Sequence, residues 1–160
     1  MRRLACLVLL MMTAAFAASA QTVPFGGSGA SGGPVEVSAE NMRVDQNSGQ
    51  VEFTGNVVIG QGDMRLSAER VLVRYEGEDR SRIASLDAEG GVVLVRGEDA
   101  AEAGKAVYEV ATGLVTLTGD VLLTQGANVM AGETVVVNLS DGTARASGRV
   151  RTVLQPEAAP

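Results

Sequence analysis

Side chains able to do chemistry are scarce in this sequence. The chain has 160 residues, with no histidine and a single cysteine, Cys6. Nucleophilic catalysis by a Cys–His or Ser–His–Asp arrangement needs a histidine as its base, and zinc sites depend mainly on cysteine and histidine. We therefore expect no catalytic residue of these kinds, no metal site and no cofactor.

Carboxylates are the remaining candidates for catalysis. Pairs of acids can hydrolyse glycosidic bonds. Acidic residues form two clusters in this sequence. The first cluster is Glu76, Glu78 and Asp79, and the second is Glu98, Asp99 and Glu102. Both clusters lie beside glycine and arginine in stretches that resemble loops. Aromatic residues, which would grip a sugar, make up only 3% of the chain. The sequence therefore favours solvated loops, and a polysaccharide-acting enzyme is the least favoured alternative.

The first 20 residues are typical of a signal peptide. Arg2 and Arg3 precede an apolar run from Leu4 to Ala18, and Ala18-Ser19-Ala20 is a small-x-small cleavage site. The run is shorter than the roughly 20 residues of a membrane-spanning helix. We therefore expect cleavage after Ala20, a mature chain that begins at Gln21 and export of that chain, with a retained anchor as the alternative.

The mature chain is acidic and has no disulfide. The whole sequence carries a formal net charge of −6, and loss of Arg2 and Arg3 with the signal makes it more negative. Such a chain repels the phosphates that dominate affinity for nucleic acid. We therefore expect no nucleic-acid partner. Cys6 leaves with the signal, so the fold must be stable without a cross-link.

Glycine and proline delimit the folded part of the chain. Residues 21–34 are rich in glycine and predict a flexible leader, and residues 155–160 form a short Pro/Ala tail. No proline lies between Pro34 and Pro156, so hydrogen-bonded strands can run uninterrupted there. Period-2 alternation and many β-branched residues predict an all-β domain over 35–154.

Four repeats within this domain align on a glycine. The four are Gly55, Gly90, Gly119 and Gly148, each inside one strand-like segment and each preceded by a second. Turns at 47–49, 111–113 and 140–142 join the two segments, and short reversals such as Gly60-Gln61-Gly62 follow them. A glycine in mid-strand favours a bulge. A bend at the same place in every unit predicts a repeat-built, twisted β-jellyroll or open β-roll with exposed terminal edges.

Alternation around each glycine predicts which side chains face inward. In the first three units these are Val51, Phe53, Val57 and Ile59, then Leu86, Val92 and Leu94, then Val115, Leu117, Val121 and Leu123. The inward positions of the fourth unit are smaller and more polar, which indicates a terminal edge or an open mouth.

The predicted interior is almost purely aliphatic and supports two hypotheses. An aliphatic surface could accept acyl chains, whose transfer from water is worth about 0.8 kcal/mol per CH₂. The same side chains could instead form a sealed core in an exported structural or assembly protein without lipid cargo. In either case the unpaired terminal edges are templates for strand addition.

Three features of the sequence together resemble a known family. They are the signal peptide, the strands of the pattern Ala-Glu-x-hydrophobic and the repeated units of the pattern Gly-Asn/Asp-Val-hydrophobic. The units are clearest from Ala106 to Gly126 and recur from Val51 to Gly62. About residues 35–154 resemble the OstA-like group of LptA-type periplasmic lipopolysaccharide-transport proteins. The match rests on the whole domain, since no single motif is sharp. The cleavage site and the end at Pro160 favour a soluble bridge over the membrane-anchored and the translocon relatives.

The resemblance implies a periplasmic β-jellyroll whose V-shaped groove holds the acyl chains of lipid A. It implies end-to-end self-association by edge-strand pairing, in a bridge from an inner-membrane-anchored LptC-like protein to an outer-membrane LptD-like translocon. The bridge itself uses no cofactor. Lipid contacts in the family are interior apolar side chains, and the matching candidates here are Phe53, Val57, Ile59, Leu94, Leu117, Val121 and Leu123.

Overall fold

The computed structural model of the chain describes residues 22–24, 33–77 and 79–156. The predicted signal peptide, most of the predicted leader and the last four residues of the tail lie outside these ranges. Among the described residues, no helix is long and apolar enough to cross a membrane. The regular structure of these ranges is β-strand, which confirms the all-β prediction.

The strands of the described residues form one antiparallel sheet. In chain order they are β1 (Thr22–Pro24), β2 (Glu36–Ser38), β3 (Asn41–Asp45), β4 (Gln50–Gln61), β5 (Met64–Glu76), β6 (Arg82–Arg96), β7 (Asp99–Glu109), β8 (Leu114–Gln125), β9 (Asn128–Asn138), β10 (Thr143–Ser147) and β11 (Arg151–Val153). The long strands β4 to β9 follow one another as a meander. At one end β2 and β3 both pair with β4, and at the other β10 and β11 both pair with β9.

Each repeat glycine adopts a positive φ, inside a bent strand at Gly55, Gly90 and Gly119 and between β10 and β11 at Gly148. The φ values are 82° at Gly55, 85° at Gly90, 86° at Gly119 and 75° at Gly148. The next residue is left-handed as well, at Asn56, Gly91, Asp120 and Arg149. The register between paired strands shifts at the same places, for example between Thr118 and Val121. The predicted bulges are therefore confirmed, and glycine is required because a side chain is disfavoured at such φ.

The bulges form a line across the sheet and divide it into two half-sheets. We call half-sheet 1 the strand segments that end at the β3–β4, β5–β6, β7–β8 and β9–β10 turns. Half-sheet 2 contains the segments that end at the β4–β5, β6–β7 and β8–β9 turns, with β2 and β11 at its edges. Because the long strands bend at this line, the two half-sheets can face each other as the arms of a V.

Hydrogen bonds between distant strands show that the half-sheets do face each other. Tyr108 on β7 donates to Gln61 at the end of β4, although β5 and β6 separate them in the sheet. Arg96 at the end of β6 donates to the carbonyl of Leu139, which follows β9, at 2.6 Å. Between the half-sheets lies one buried aliphatic core. Each buried Val, Leu or Ile side chain is worth about 1.5–3 kcal/mol, so this core dominates stability.

The structure differs from the sequence analysis in the leader, in the acid clusters and at Gly60 and Gln61, which were predicted to lie in a reversal but end β4. Thr22–Pro24, inside the predicted leader, forms β1 and pairs with β10, an arrangement that the glycine and proline around it did not indicate. The loop interpretation of the acid clusters is wrong for Asp99 and Glu102, which lie in β7, and for Glu76, which ends β5. These three acids belong to strands because each pairs with a residue of a neighbouring strand. Asp99 pairs with Gln125, Glu102 with Leu122 and Glu76 with Arg82.

Candidate functional site

Aliphatic rows line the inner faces of both half-sheets. Each row consists of residues that lie opposite one another on successive strands. Half-sheet 1 carries two such rows. The first consists of Val51, Val73, Leu86, Tyr108, Val115, Val137 and Ala144. The second consists of Phe53, Val71, Ala88, Ala106, Leu117, Val135 and Ala146. Half-sheet 2 carries the row Val37, Ile59, Leu66, Leu94, Ala101, Leu123, Met130 and Thr152. The inward parity predicted from the repeats is confirmed.

The seven residues predicted to contact lipid all face this interior. Phe53 and Leu117 lie in half-sheet 1, and Ile59, Leu94 and Leu123 share the row of half-sheet 2. Val57 and Val121 lie beside the bulge line. Phe53 is half-buried, whereas the other six are at most 2% exposed. The structure therefore brings the predicted residues together, and their contact with lipid stays a prediction.

A polar row borders the aliphatic interior at the far end of half-sheet 2. The row occupies the next inward position along each strand, two residues beyond Ile59, Leu94 and Leu123. Its polar members are Gln61, Arg96, Asp99, Gln125 and Asn128. We call these five residues the polar rim. Gln61, Arg96 and Asp99 are the buried polar side chains of the described chain. Burial of such groups is costly unless they are hydrogen-bonded.

Hydrogen bonds satisfy the polar rim from several directions. Gln61 accepts from the Tyr108 hydroxyl and donates through Nε2 to the Gly33 carbonyl at 3.0 Å. Besides the Leu139 carbonyl, Arg96 Nε faces the Asp63 carboxylate at 3.4 Å, although Arg96 is only 2% exposed. Gln125 Nε2 lies 3.5 Å from Asp99 Oδ2. Among the described residues, no buried side-chain nitrogen or oxygen lacks a hydrogen bond.

The environment of the polar rim affects the titration of Tyr108. Its side chain is fully buried among the inner rows, and this burial raises the pKa of the phenol above its ordinary value, because the ionised form loses its hydration. The hydroxyl therefore stays protonated at neutral pH and acts as a donor to Gln61. The described residues contain no group of three or more His, Cys, Asp or Glu side chains placed to hold a metal ion.

A cavity of about 300 Å³ opens at the C-terminal end of the interior. It is lined by the polar-rim residues Gln125 and Asn128 together with Leu123, Val129, Met130, Thr152 and Leu154. Leu154 is 68% exposed. This cavity makes part of the aliphatic row of half-sheet 2 reachable from solvent, and its lining is mainly apolar.

The outer face of half-sheet 1 is charged. Arg70 lies between Glu52, with which it forms a short hydrogen-bonded ion pair, and Glu89, whose carboxylate also accepts from Lys105 at 3.0 Å. Lys105 and, more weakly, Arg70 hold the pKa of Glu89 below its usual range. Arg74 pairs with Asp87 at 2.6 Å on the same face. Exposed pairs of this kind contribute little stability, so their main effect is to keep this face solvated.

The outer face of half-sheet 2 is more apolar. Val58, Val95 and Leu122 are each more than a third exposed there, and charged residues such as Arg65 and Glu102 lie between them. At the C-terminal edge, β1 pairs with β10, whereas no strand of the described residues pairs with the outer side of β11. Within the described residues the sheet therefore keeps unpaired backbone at both ends, on β2 and β3 at one end and on β1 and β11 at the other.

Sequence reasoning missed the polar rim although a signal for it exists. Gln61, Arg96 and Gln125 each follow the last inward aliphatic residue of a repeat by two positions, which is inward parity. The glycines on both sides of Gln61 favoured a reversal there instead. A polar residue that recurs at an inward position was the available indication.

Comparisons with known proteins agree with this architecture. Residues 36–143 match the family model described as LptA/(LptD N-terminal domain) LPS transport protein. The lipopolysaccharide export system protein LptA of Haemophilus influenzae is 28% identical over 133 residues, which cover 77% of each chain. LptA of Escherichia coli K12 is 26% identical over 133 residues, covering 77% of this chain and 71% of that protein.

A solved structure supports the fold. LptH of Pseudomonas aeruginosa, described as the LptA-homologous periplasmic component of the lipopolysaccharide transport device, superposes with a TM-score of 0.69 at 20% identity. The superposition covers 77% of this chain and 96% of LptH. At this identity the likeness concerns the fold, while the family match covers most of the domain. The chain therefore belongs to the LptA and LptD N-terminal-domain family of lipopolysaccharide transport proteins.

Proposed function

We propose that the chain is a periplasmic bridge protein that carries lipopolysaccharide from the inner to the outer membrane. The observation that carries this proposal is the aliphatic interior, which runs across seven consecutive strands of the sheet and reaches the cavity at Leu123 and Met130. A surface of this kind suits acyl chains, because each buried CH₂ contributes about 0.8 kcal/mol. The names of the LptA relatives support lipopolysaccharide as the cargo.

The groove would take lipid A through its acyl chains, and the predicted contacts are the seven interior residues named above. Phe53, which is half-buried, and Leu123, which lines the end cavity, are the first of these that a chain entering the interior would meet. The sugars and phosphates of the lipid would remain outside. No step of this transport requires a catalytic group or a cofactor.

The proposed partners lie at the two ends of the sheet. Unpaired backbone on β2 and β3 at one end and on β1 and β11 at the other supports end-to-end self-association by strand addition. An inner-membrane-anchored LptC-like protein and an outer-membrane LptD-like translocon would add to the same edges. The predicted signal peptide, cleaved after Ala20, would place the mature chain in the periplasm.

The test is a lipid titration with a matched pair of charge variants at the C-terminal end. Leu154→Asp places a carboxylate in the wall of the cavity, whereas Val153→Asp places one on an exposed neighbour that does not line it. We expect the mature chain to bind lipid A in a thermal-shift titration, with binding weakened about tenfold or more by Leu154→Asp and little by Val153→Asp.

Failure of saturating lipid A to protect or co-elute with the parent chain would contradict the proposal. It would favour the alternative of a sealed structural core without cargo. Circular dichroism of both variants controls for folding.

A further inference from the structure

The interior as folded is closed to a ligand along most of its length. The solvent cannot reach four of the interior residues, which are Val57, Ile59, Leu94 and Leu117. They lie between two half-sheets whose backbones are continuous with each other only at the bulge line, where the strands bend. An acyl chain that enters from the side, rather than through the cavity at the C-terminal end, can reach them only if the half-sheets separate at the mouth, which is the side opposite the bulge line. Contacts that join the half-sheets at the mouth must break first.

Two described hydrogen bonds join the half-sheets across this mouth. Tyr108 lies two residues before the β7–β8 turn of half-sheet 1, and Gln61 directly precedes the β4–β5 turn of half-sheet 2. Arg96 precedes the β6–β7 turn of half-sheet 2, and the Leu139 carbonyl that it contacts at 2.6 Å begins the β9–β10 turn of half-sheet 1. Both bonds therefore connect the far ends of the two arms.

Burial makes the partners of these two hydrogen bonds specific, because a buried polar group that is left without a partner destabilises the fold. Both Tyr108 and Arg96 are among the largest fully buried side chains of the fold. Further polar contacts fix their partners, since Gln61 also donates to Gly33 and Arg96 also faces Asp63. Replacement of both partners of a buried polar contact by apolar residues of the same shape is often neutral for stability, although removal of one partner alone is costly. The use of polar groups at this rim is better explained by a contact that must be reversible.

We infer that the Tyr108–Gln61 and Arg96–Leu139 hydrogen bonds form a clasp that holds the half-sheets closed over the empty interior and is released when a lipid enters. This inference deepens the proposed function, on which it rests, because it assigns the residues that control access to the groove. In water the exposed aliphatic rows would otherwise favour aggregation. Polar contacts at the mouth can be exchanged for water as it opens, whereas an apolar seal cannot.

The clasp can be tested without any ligand by measuring the mouth directly. The mature chain contains no cysteine, so paired spin labels can be placed at Ala111→Cys and Ala127→Cys, on exposed turns at the two ends of β8. Their separation reports how far the arms of this bent strand open. We expect Arg96→Met with Tyr108→Phe, which keeps side-chain volume, to add a population at longer label distances. Each lost hydrogen bond should raise the open fraction by a factor of roughly two to ten.

Matched controls remove the same groups elsewhere. Arg74→Met removes an arginine from an exposed ion pair within half-sheet 1, and Tyr75→Phe removes the hydroxyl of a half-buried tyrosine in the same half-sheet. Neither should change the label distances. Tyr108→Phe alone deletes a single oxygen, and its distances decide the question if the double variant does not fold.

Unchanged distances in Tyr108→Phe, or equal opening in the Arg74→Met and Tyr75→Phe controls, would overturn the clasp. A lipid A titration of the same proteins separates this inference from the proposed function. Loading several times faster in the clasp variants than in the controls supports both. If the parent chain and all variants bind no lipid A, the proposed function fails, while the label distances still decide whether the clasp exists.

Discussion

At the residue scale, neighbouring positions of one strand have opposite roles. Leu122 and Leu123 are adjacent in β8, yet Leu123 is 2% exposed within the aliphatic row and Leu122 is 38% exposed on the outer face. The difference follows from the period of two along a strand. The same parity places the polar rim inside, so that Gln61, Arg96 and Asp99 are buried with partners rather than solvated.

Truncation of these two leucines should therefore have unequal effects on stability. Leu123→Ala removes buried methyl groups and leaves a cavity, so we expect a loss of about 2–5 kcal/mol in the free energy of unfolding. Leu122→Ala should cost less than about 1 kcal/mol. Urea unfolding of both variants measures the difference, and equal losses would contradict the assigned faces.

Tyr108 gives stability a predictable dependence on pH. Because burial raises the pKa of Tyr108 in the folded state, its contribution is fully present below the ordinary tyrosine value of 10.0 and is lost as pH rises above it. We expect Tyr108→Phe to melt lower than the parent chain at about pH 8 and to lose stability less steeply than the parent above about pH 10. Parallel melting profiles for the two proteins across this range would rule out the assignment to Tyr108.

At the element scale, the repeat glycines produce the bend. Gly119 has φ 86° and faces Gly104 on the neighbouring strand, whose φ is not in the left-handed region. A Cβ at either position would make only ordinary contacts, 3.6 Å or more from its nearest neighbours. The two positions therefore differ in backbone strain and hardly in available space.

This pair isolates the role of the positive φ. Gly119→Ala should reduce the free energy of unfolding by about 1–2 kcal/mol, because a left-handed backbone is disfavoured for alanine. Gly104→Ala should change it by less than about 1 kcal/mol and could raise it by restricting the unfolded chain. Chemical denaturation is the measurement, and a Gly104→Ala variant as destabilised as Gly119→Ala would show that crowding rather than φ requires glycine here.

Local pattern predicted the elements well for a physical reason. The four aligned glycines and the inward parity depend on backbone conformation and on alternation, which short segments of sequence encode. The contacts between Tyr108 and Gln61 and between Arg96 and Leu139 connect strands three apart in the sheet, and no local pattern encodes them. The short strand β1 was missed because its pairing with β10 joins Thr22 to Arg145, which are far apart in the sequence.

On the scale of the whole molecule, the two ends of the sheet differ in how much backbone is free. β1 covers β10 at the C-terminal end and is itself the outermost strand, so the uncovered backbone of that edge belongs to β1 and β11 within the described residues. A strand added within one chain competes with a strand added from another, since both use the same backbone groups. Self-association should therefore depend on whether β1 is present.

Removal of residues 21–24 from the mature chain should increase end-to-end association. The shortened chain replaces the edge of β1, which has 3 residues, by that of β10, which has 5, so a second copy gains a longer edge for pairing. Sedimentation velocity at several concentrations would show larger species at lower concentration than for the full mature chain. Identical profiles for the two chains would mean that β1 does not limit assembly.

The central claim is that lipid enters between the half-sheets, and photo-cross-linking tests it most directly. Phe53 is half-buried on the inner face, so p-benzoylphenylalanine can replace it with little disturbance, and Leu122 provides the matched outer position. After irradiation with lipopolysaccharide, we predict an adduct at position 53 and none at position 122. Folded protein that gives no adduct at position 53, or equal adducts at both positions, would contradict the account.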